Sequence, residues 1–318
     1  KNGNPELITK DYKRRQKRKL NAFITTAVLT VVLAIAGIGC RVAAAKVNNN
    51  NYDVLVSPSE ATSIEEKISS YKQAISIYPN RFEAYESMLQ AYEDEGKFGK
   101  EQNDEFLALY NAHKDGFDKT SVEYADLNYK IGMMYFNYYT NDDGSYSFSN
   151  RVQKAYSFFA VNHDNKQISK DFEYKNISDC YYRICYFYKK YILSSATVEE
   201  ASKDNYEELL STIEKTLDEV ENAGAYDQLT LYNGTFMLLY DQRSSMVQVN
   251  VDKDLITQLL DNVYKKAEKL SVQKEQSQEL KNEIIDNYKD YKEAIERAYT
   301  NAEERQELQE SNGEEETE

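Results

Sequence analysis

The chain has 318 residues, with 54 Asp/Glu against 39 Lys/Arg for a net charge of −15, only three prolines, and no tryptophan. Outside a basic N-terminal run the chain is acidic and lacks the clustered Lys/Arg that phosphate neutralisation requires, which argues against nucleic acid as a partner. So few helix breakers over so many residues point to an all-α fold.

The N-terminal piece has the opposite charge from the rest. Residues 1–46 hold ten Lys/Arg and two acidic residues, a net +8, leaving 47–318 with 29 basic and 52 acidic residues and a net −23. Six of the seven residues Lys13–Lys19 are basic, so residues 1–19 read as a basic cytoplasmic juxtamembrane segment. Leu20–Cys40 follows, uncharged throughout. As a helix it would reach about 31 Å and match the hydrocarbon core of a bilayer. It is expected to be a single transmembrane helix. The positive-inside rule then places the N-terminus in the cytoplasm and residues from about 47 to 318 outside the cell membrane. Thr26, Thr30 and Ala34 form a small-residue stripe, with Gly37 and Gly39 beyond it, which would allow a homodimer through the span. The chain starts at Lys1, and the apolar run lies well inside it. The run therefore reads as an internal anchor of a longer protein rather than a removable signal. A lipoprotein cleavage box ending at Cys40 is weaker, because Gly37 stands where a branched aliphatic is required.

Residues 41–60 are expected to be a linker, because VNNNNYDVLVSPSE (47–60) has no helical period. Ser57 or Ser59 would cap the next helix, with Glu65 and Glu66 favourable in its first turns. From 61 to 195 the pattern is one of amphipathic helices with short polar breaks. Tyr71, Ala74, Ile75 and Tyr78 make one apolar face, ended by Pro79. Ala84, Tyr85, Met88, Leu89, Ala91 and Tyr92 make the next, ended at Gly96 and Phe98.

This unit resembles the tetratricopeptide repeat, in which small residues let paired helices approach and aromatic residues fill the groove between neighbours. Tyr71, Ala74 and Pro79 match the end of one repeat; Tyr85, Tyr92, Gly96 and Phe98 fall on the next. The first-helix signature returns around Ile131-Gly132 with Tyr135. It returns again in Tyr181–Tyr188, with Cys185 where glycine would stand. The matched tyrosines Tyr92, Tyr135 and Tyr188 lie 43 and 53 residues apart, against about 34 in a regular array. Insertions such as Thr140–Asn150 and Asn162–Asp171 account for the irregularity. The expectation is a TPR-like α-helical repeat region, an irregular α-solenoid.

A further helical region is expected over 196–308. Asn205–Ala223 turns Leu209, Leu210, Ile213, Leu217 and Val220 inward and breaks at Gly224. Gln228–Arg243 and Asp252–Leu270 follow, and Gln276–Leu308 is a long charged final helix. Residues 309–318 read as a disordered acidic tail.

Chemistry is sparse. His113 and His163 sit in polar contexts without metal-ligand spacing. Asp142-Asp143-Gly144-Ser145 resembles part of a calcium loop but lacks the later acidic ligands, and reads as a solvated turn. Cys180 and Cys185, five apart on a helix, point to different sides and do not suit a disulfide. Asn176 and Asn233 begin glycosylation sequons at chance frequency. No catalytic residue, cofactor or metal site is assigned, and no enzyme activity is expected of this chain. Tyrosine is the unusual abundance, at 28. In 133–139 and 180–191 aromatics surround the helix, either as inter-repeat packing or as a surface for a peptide or glycan.

The whole arrangement resembles the C-terminal half of bacterial, Clostridia-type receptor-like serine/threonine kinases, through YKRRQKRKLNAF and YKQAISIYPNRFEAYESMLQAY. No kinase element lies in this chain. The resemblance implies a sensor region that binds a protein, peptide or cell-wall ligand outside and signals to a kinase domain upstream of Lys1. The alternative is a free-standing membrane-anchored scaffold for an envelope or secretion assembly.

Overall fold

The computed structural model describes residues 45–59, 62–145, 147–167, 171–193 and 202–315. Helix α1 covers residues 45–56. Then come α2 (Ile64–Ile77), α3 (Glu83–Asp94), α4 (Lys100–His113), α5 (Val122–Tyr138), α6 (Phe148–Asp164) and α7 (Lys175–Phe187). The chain ends in α8 (Lys203–Glu219), α9 (Ala225–Gln248), α10 (Lys253–Lys269) and α11 (Glu275–Glu315). The described residues contain no strand, only an isolated parallel bridge between Phe98 and Tyr139. The all-α expectation therefore holds, and consecutive helices that double back on short turns are consistent with helical repeats.

Local chemistry sets most of the boundaries. α2 begins at a capping box: the Ser63 hydroxyl accepts from Glu66 N–H, and the Glu66 carboxylate accepts from Ser63 N–H, each at 3.3 Å. It stops one residue before Tyr78-Pro79. Gly96 ends the α3 turn at φ 64°, a left-handed conformation that costs glycine nothing. Ser121, Ser147 and Ser202 cap α5, α6 and α8 with their hydroxyls.

Four expectations need correcting. The capping serine of α2 is Ser63, not Ser57 or Ser59. The stretch expected as a linker over 41–60 is helical from 45 to 56. Its main anchor is Tyr52, which is fully buried, donates to Glu83 at 3.1 Å and carries Arg81 over its face at 4.0 Å. Leu55 and Val56 pack against the core beside it. These three stand at helical spacing over barely one turn, after a run of asparagines, which is too short a stripe to stand out. At the other end α11 continues to Glu315, through most of the expected disordered tail 309–318. The fourth correction concerns the membrane. Among the described residues no helix is long and apolar enough to cross a bilayer. α9, at 24 residues, is long enough, but it carries Asp227, Asp241 and Arg243 and buries its apolar residues against neighbouring helices. The expected span Leu20–Cys40 lies outside the described residues. No described helix supports the single-pass topology, cell-membrane localisation or span-mediated dimer expected from it.

The core is one continuous cluster from Tyr52 to Ile295. At its centre α5, α6, α7 and α9 meet through a seam of rings. Phe159 of α6 lies flat against Tyr181 of α7, with centroids 5.1 Å apart and planes at 10°. Tyr181 meets Phe136 of α5 edge-on at 5.0 Å. Glycines make room at both ends of the seam. A Cβ at Gly132 would lie 2.6 Å from Phe159, and one at Gly234 would be closer still to Phe136. Ile131-Gly132 is the TPR-like signature, and the structure shows its purpose: a ring from the next helix occupies the space of the absent side chain. This seam fixes α9 against α5, and so places the first turn of α9 beside α3.

Candidate functional site

A cavity of about 740 Å³ opens where five segments converge. α3 contributes Glu86, Leu89, Gln90 and Glu93, and α5 contributes Tyr129, Lys130, Met133, Met134 and Asn137. Glu173 and Tyr174 enter from the turn before α7, residues 224–227 from the start of α9, and Ser271 to Ser277 from the approach to α11. Helical periodicity explains the first two sets. Glu86, Gln90 and Glu93 recur at three/four spacing on one face of α3, and Lys130, Met133, Met134 and Asn137 do so on α5.

The wall is acidic and tyrosine-rich. Glu93 accepts from the hydroxyls of Tyr138 (3.2 Å) and Tyr226, and from the Gln90 amide at 3.1 Å. The two hydroxyls also touch each other at 2.9 Å. Burial nonetheless pushes the Glu93 carboxyl above its ordinary pKa, the tyrosine bonds offsetting only part of the cost. Asp227 accepts from Tyr129 at 2.7 Å, and burial raises its pKa too, against that bond and the nearby Lys274. Tyr129 stacks on Tyr174 with centroids 4.8 Å apart and planes at 11°. Glu86 pairs with Lys130 at 2.8 Å.

Two predictions arise directly. Tyr129→Phe removes the hydroxyl that Asp227 accepts from and is expected to cost about 1–2 kcal/mol at neutral pH in urea unfolding. The second concerns Asp126, on α5 behind the wall, which has a buried oxygen with no partner. Burial and the charge of Glu86 push its pKa up to about 6, with Lys130 opposing. The folded state then holds the Asp126 proton more tightly than the unfolded chain does. That stabilisation is complete below about pH 4 and is lost as pH rises through about 6. Asp126→Asn is therefore expected to exceed wild type in stability at pH 7.5 by about 1 kcal/mol after solvent screening. The difference should vanish near pH 4.

The residues singled out in the sequence lie elsewhere. His163 is exposed, bonds Asp179 at 3.1 Å and stacks on Tyr182 at 3.8 Å. His113 ends α4. Among the described residues no three His, Cys, Asp or Glu side chains come together as a metal site. In the Asp142–Ser145 turn the Asp143 carboxylate accepts from the Ser145 N–H and hydroxyl, at 3.0 and 2.6 Å. Gly144 takes φ 78°, a solvated turn rather than an ion loop. Cys180 and Cys185 are buried free thiols, and burial raises both pKa values. The tyrosine-rich segments divide. Tyr135, Tyr181 and Tyr188 are core, Tyr138 sits behind the cavity wall and donates to Glu93, and Tyr182 and Tyr186 are half-exposed on the other side of α7.

No family model, curated protein or solved structure matches this chain. The cavity and the fold around it therefore carry the functional reading.

Proposed function

We propose that the chain is a helical-repeat binding module whose ligand, a peptide or an extended segment of a protein, lies in the cavity framed by α3, α5, α9 and the start of α11. One observation supports this above the others: charged, amide and hydroxyl groups from five separate segments converge on one opening. Glu93 and Asp227 are tied to tyrosine hydroxyls, and Glu86 to Lys130. Binding therefore fits the wall better than catalysis. A place in the sensor part of a serine/threonine kinase is compatible with this reading. It would be supported by a kinase domain ahead of Lys1 in the reading frame.

The test is a displayed random-peptide library selected on the full chain, on Gln273→Trp and on Ser271→Trp. Both positions are exposed at the rim of the cavity, so the indole plugs the opening without entering the core. Peptides enriched on the wild type are expected to lose at least about tenfold in affinity on either plugged variant. Enrichment that is unchanged by both plugs would remove the cavity as the binding site.

A further inference from the structure

The same wall indicates the chemistry of the ligand, given the binding-module reading on which that chemistry rests. The cavity carries Glu86, Glu93, Glu173 and Asp227 against Lys130 and Lys274. Lys130 is committed to Glu86, and Lys274 is exposed. The two most enclosed carboxylates, Glu93 and Asp227, receive hydrogen bonds only from neutral groups: Tyr138, Tyr226 and Gln90 on the first, Tyr129 on the second. Neutral donors leave these buried carboxylates without a charge-assisted bond, Lys274 acting on Asp227 only through space, and an ammonium or guanidinium would supply one. Tyr226 and Asp227 are consecutive, so the hydroxyl bonded to Glu93 and the second carboxylate leave the same turn of α9.

The helix termini do not reverse this balance. The N-termini of α9 and α11 both reach the wall with their partial positive charge. Each is met by an acidic residue in its own first turn, Asp227 and Glu275 respectively.

Ser277 is only 3 % exposed and lines the cavity. The stacked Tyr129–Tyr174 pair lines it too and offers aromatic surface suited to a methylene stem.

We propose that the cavity takes a basic peptide segment, with a lysine or arginine side chain entering beside Glu93 and Asp227. Its stem lies along the Tyr129–Tyr174 pair, and the Ser277 hydroxyl accepts from the incoming N–H. The cation replaces water on two carboxylates that the fold has already enclosed, so the protein needs little rearrangement to bind it.

The experiment uses the full chain at physiological salt. The probes are a fluorescein-labelled Gly-Ser peptide with spaced lysines and the same peptide with norleucine in their place. The lysine peptide is expected to bind at least about tenfold more tightly than the norleucine peptide. Gln273→Trp, and Glu93→Gln combined with Asp227→Asn, are each expected to erase that preference. The comparison of the two peptides on the wild type needs no variant, so it stands even where the double variant folds poorly. Equal binding of both peptides, blocked by the plug, overturns the cationic inference and leaves the binding-module reading in place. Lysine preference that survives the plug is general attraction to an acidic surface, and also overturns the inference. Failure of every library-selected peptide to respond to the plugs overturns the binding-module reading itself.

Discussion

Gly234→Val is expected to lower the free energy of unfolding by about 3 kcal/mol, and Gly234→Ala by about 2. Helix propensity alone gives the opposite sign, since alanine in a helix interior is better than glycine by about 1 kcal/mol. The packing effect wins because the Phe136 ring lies where the added Cβ would stand, and that ring is itself locked edge-on against Tyr181 and Phe148. The ring cannot give way without disturbing α5, α6 and α7 together. Shortening it should relieve the strain, so Phe136→Leu in the Gly234→Ala background is expected to recover about 1 kcal/mol. Denaturant unfolding of the three variants reads this out. A Gly234→Ala protein more stable than wild type would show that the helices do not approach as described.

Tyr181→Ala is expected to be more damaging, at about 4 kcal/mol, while Tyr181→Phe should cost only about 1. Tyr181 is fully buried and is the ring through which Phe159 and Phe136 connect. Removing it leaves a void between α6, α7 and α9 that rigid neighbours cannot fill. Its hydroxyl, by contrast, donates to Thr230 Oγ1 at 3.1 Å. Thr230 keeps its own bond to the Asp227 carbonyl at 2.9 Å when that donor is lost. The large gap between the two substitutions identifies Tyr181 as a packing residue. Near-equal losses would instead point to the hydroxyl.

Helix-period residues made most of the fold legible. Tyr71, Ala74 and Ile75, and then Leu209, Leu210, Ile213 and Leu217, are buried as their spacing required. Pro79, Gly96 and Gly224 lie at the breaks they announce. What periodicity missed were features held by a few contacts or by distant ones. α1 is anchored by Tyr52, Leu55 and Val56, a stripe of barely one turn after a run of asparagines. The cavity was not legible either. Glu93 and Asp227 stand 134 residues apart in sequence, and each looks like an ordinary solvated acid within its own helix. A faint signal existed in Tyr226-Asp227 at a helix start directly after Gly224. Only the approach of α9 to α3 and α5 gives that pair its meaning. The tyrosine surplus was ambiguous for a related reason: composition counts rings but does not say which helix faces meet.

Hydrogen–deuterium exchange of the full chain, with and without a library-selected peptide, tests the assignment of the cavity most directly. Slowed exchange is expected at residues 86–93, at 224–227 and at 271–277, three of the five segments that form the wall. No change is expected on the half-exposed face of α6 and α7 around Tyr156 and Tyr186. Protection at Tyr156 and Tyr186, with 224–227 and 271–277 unaffected, would contradict the cavity assignment and move the binding surface to the opposite face of α7.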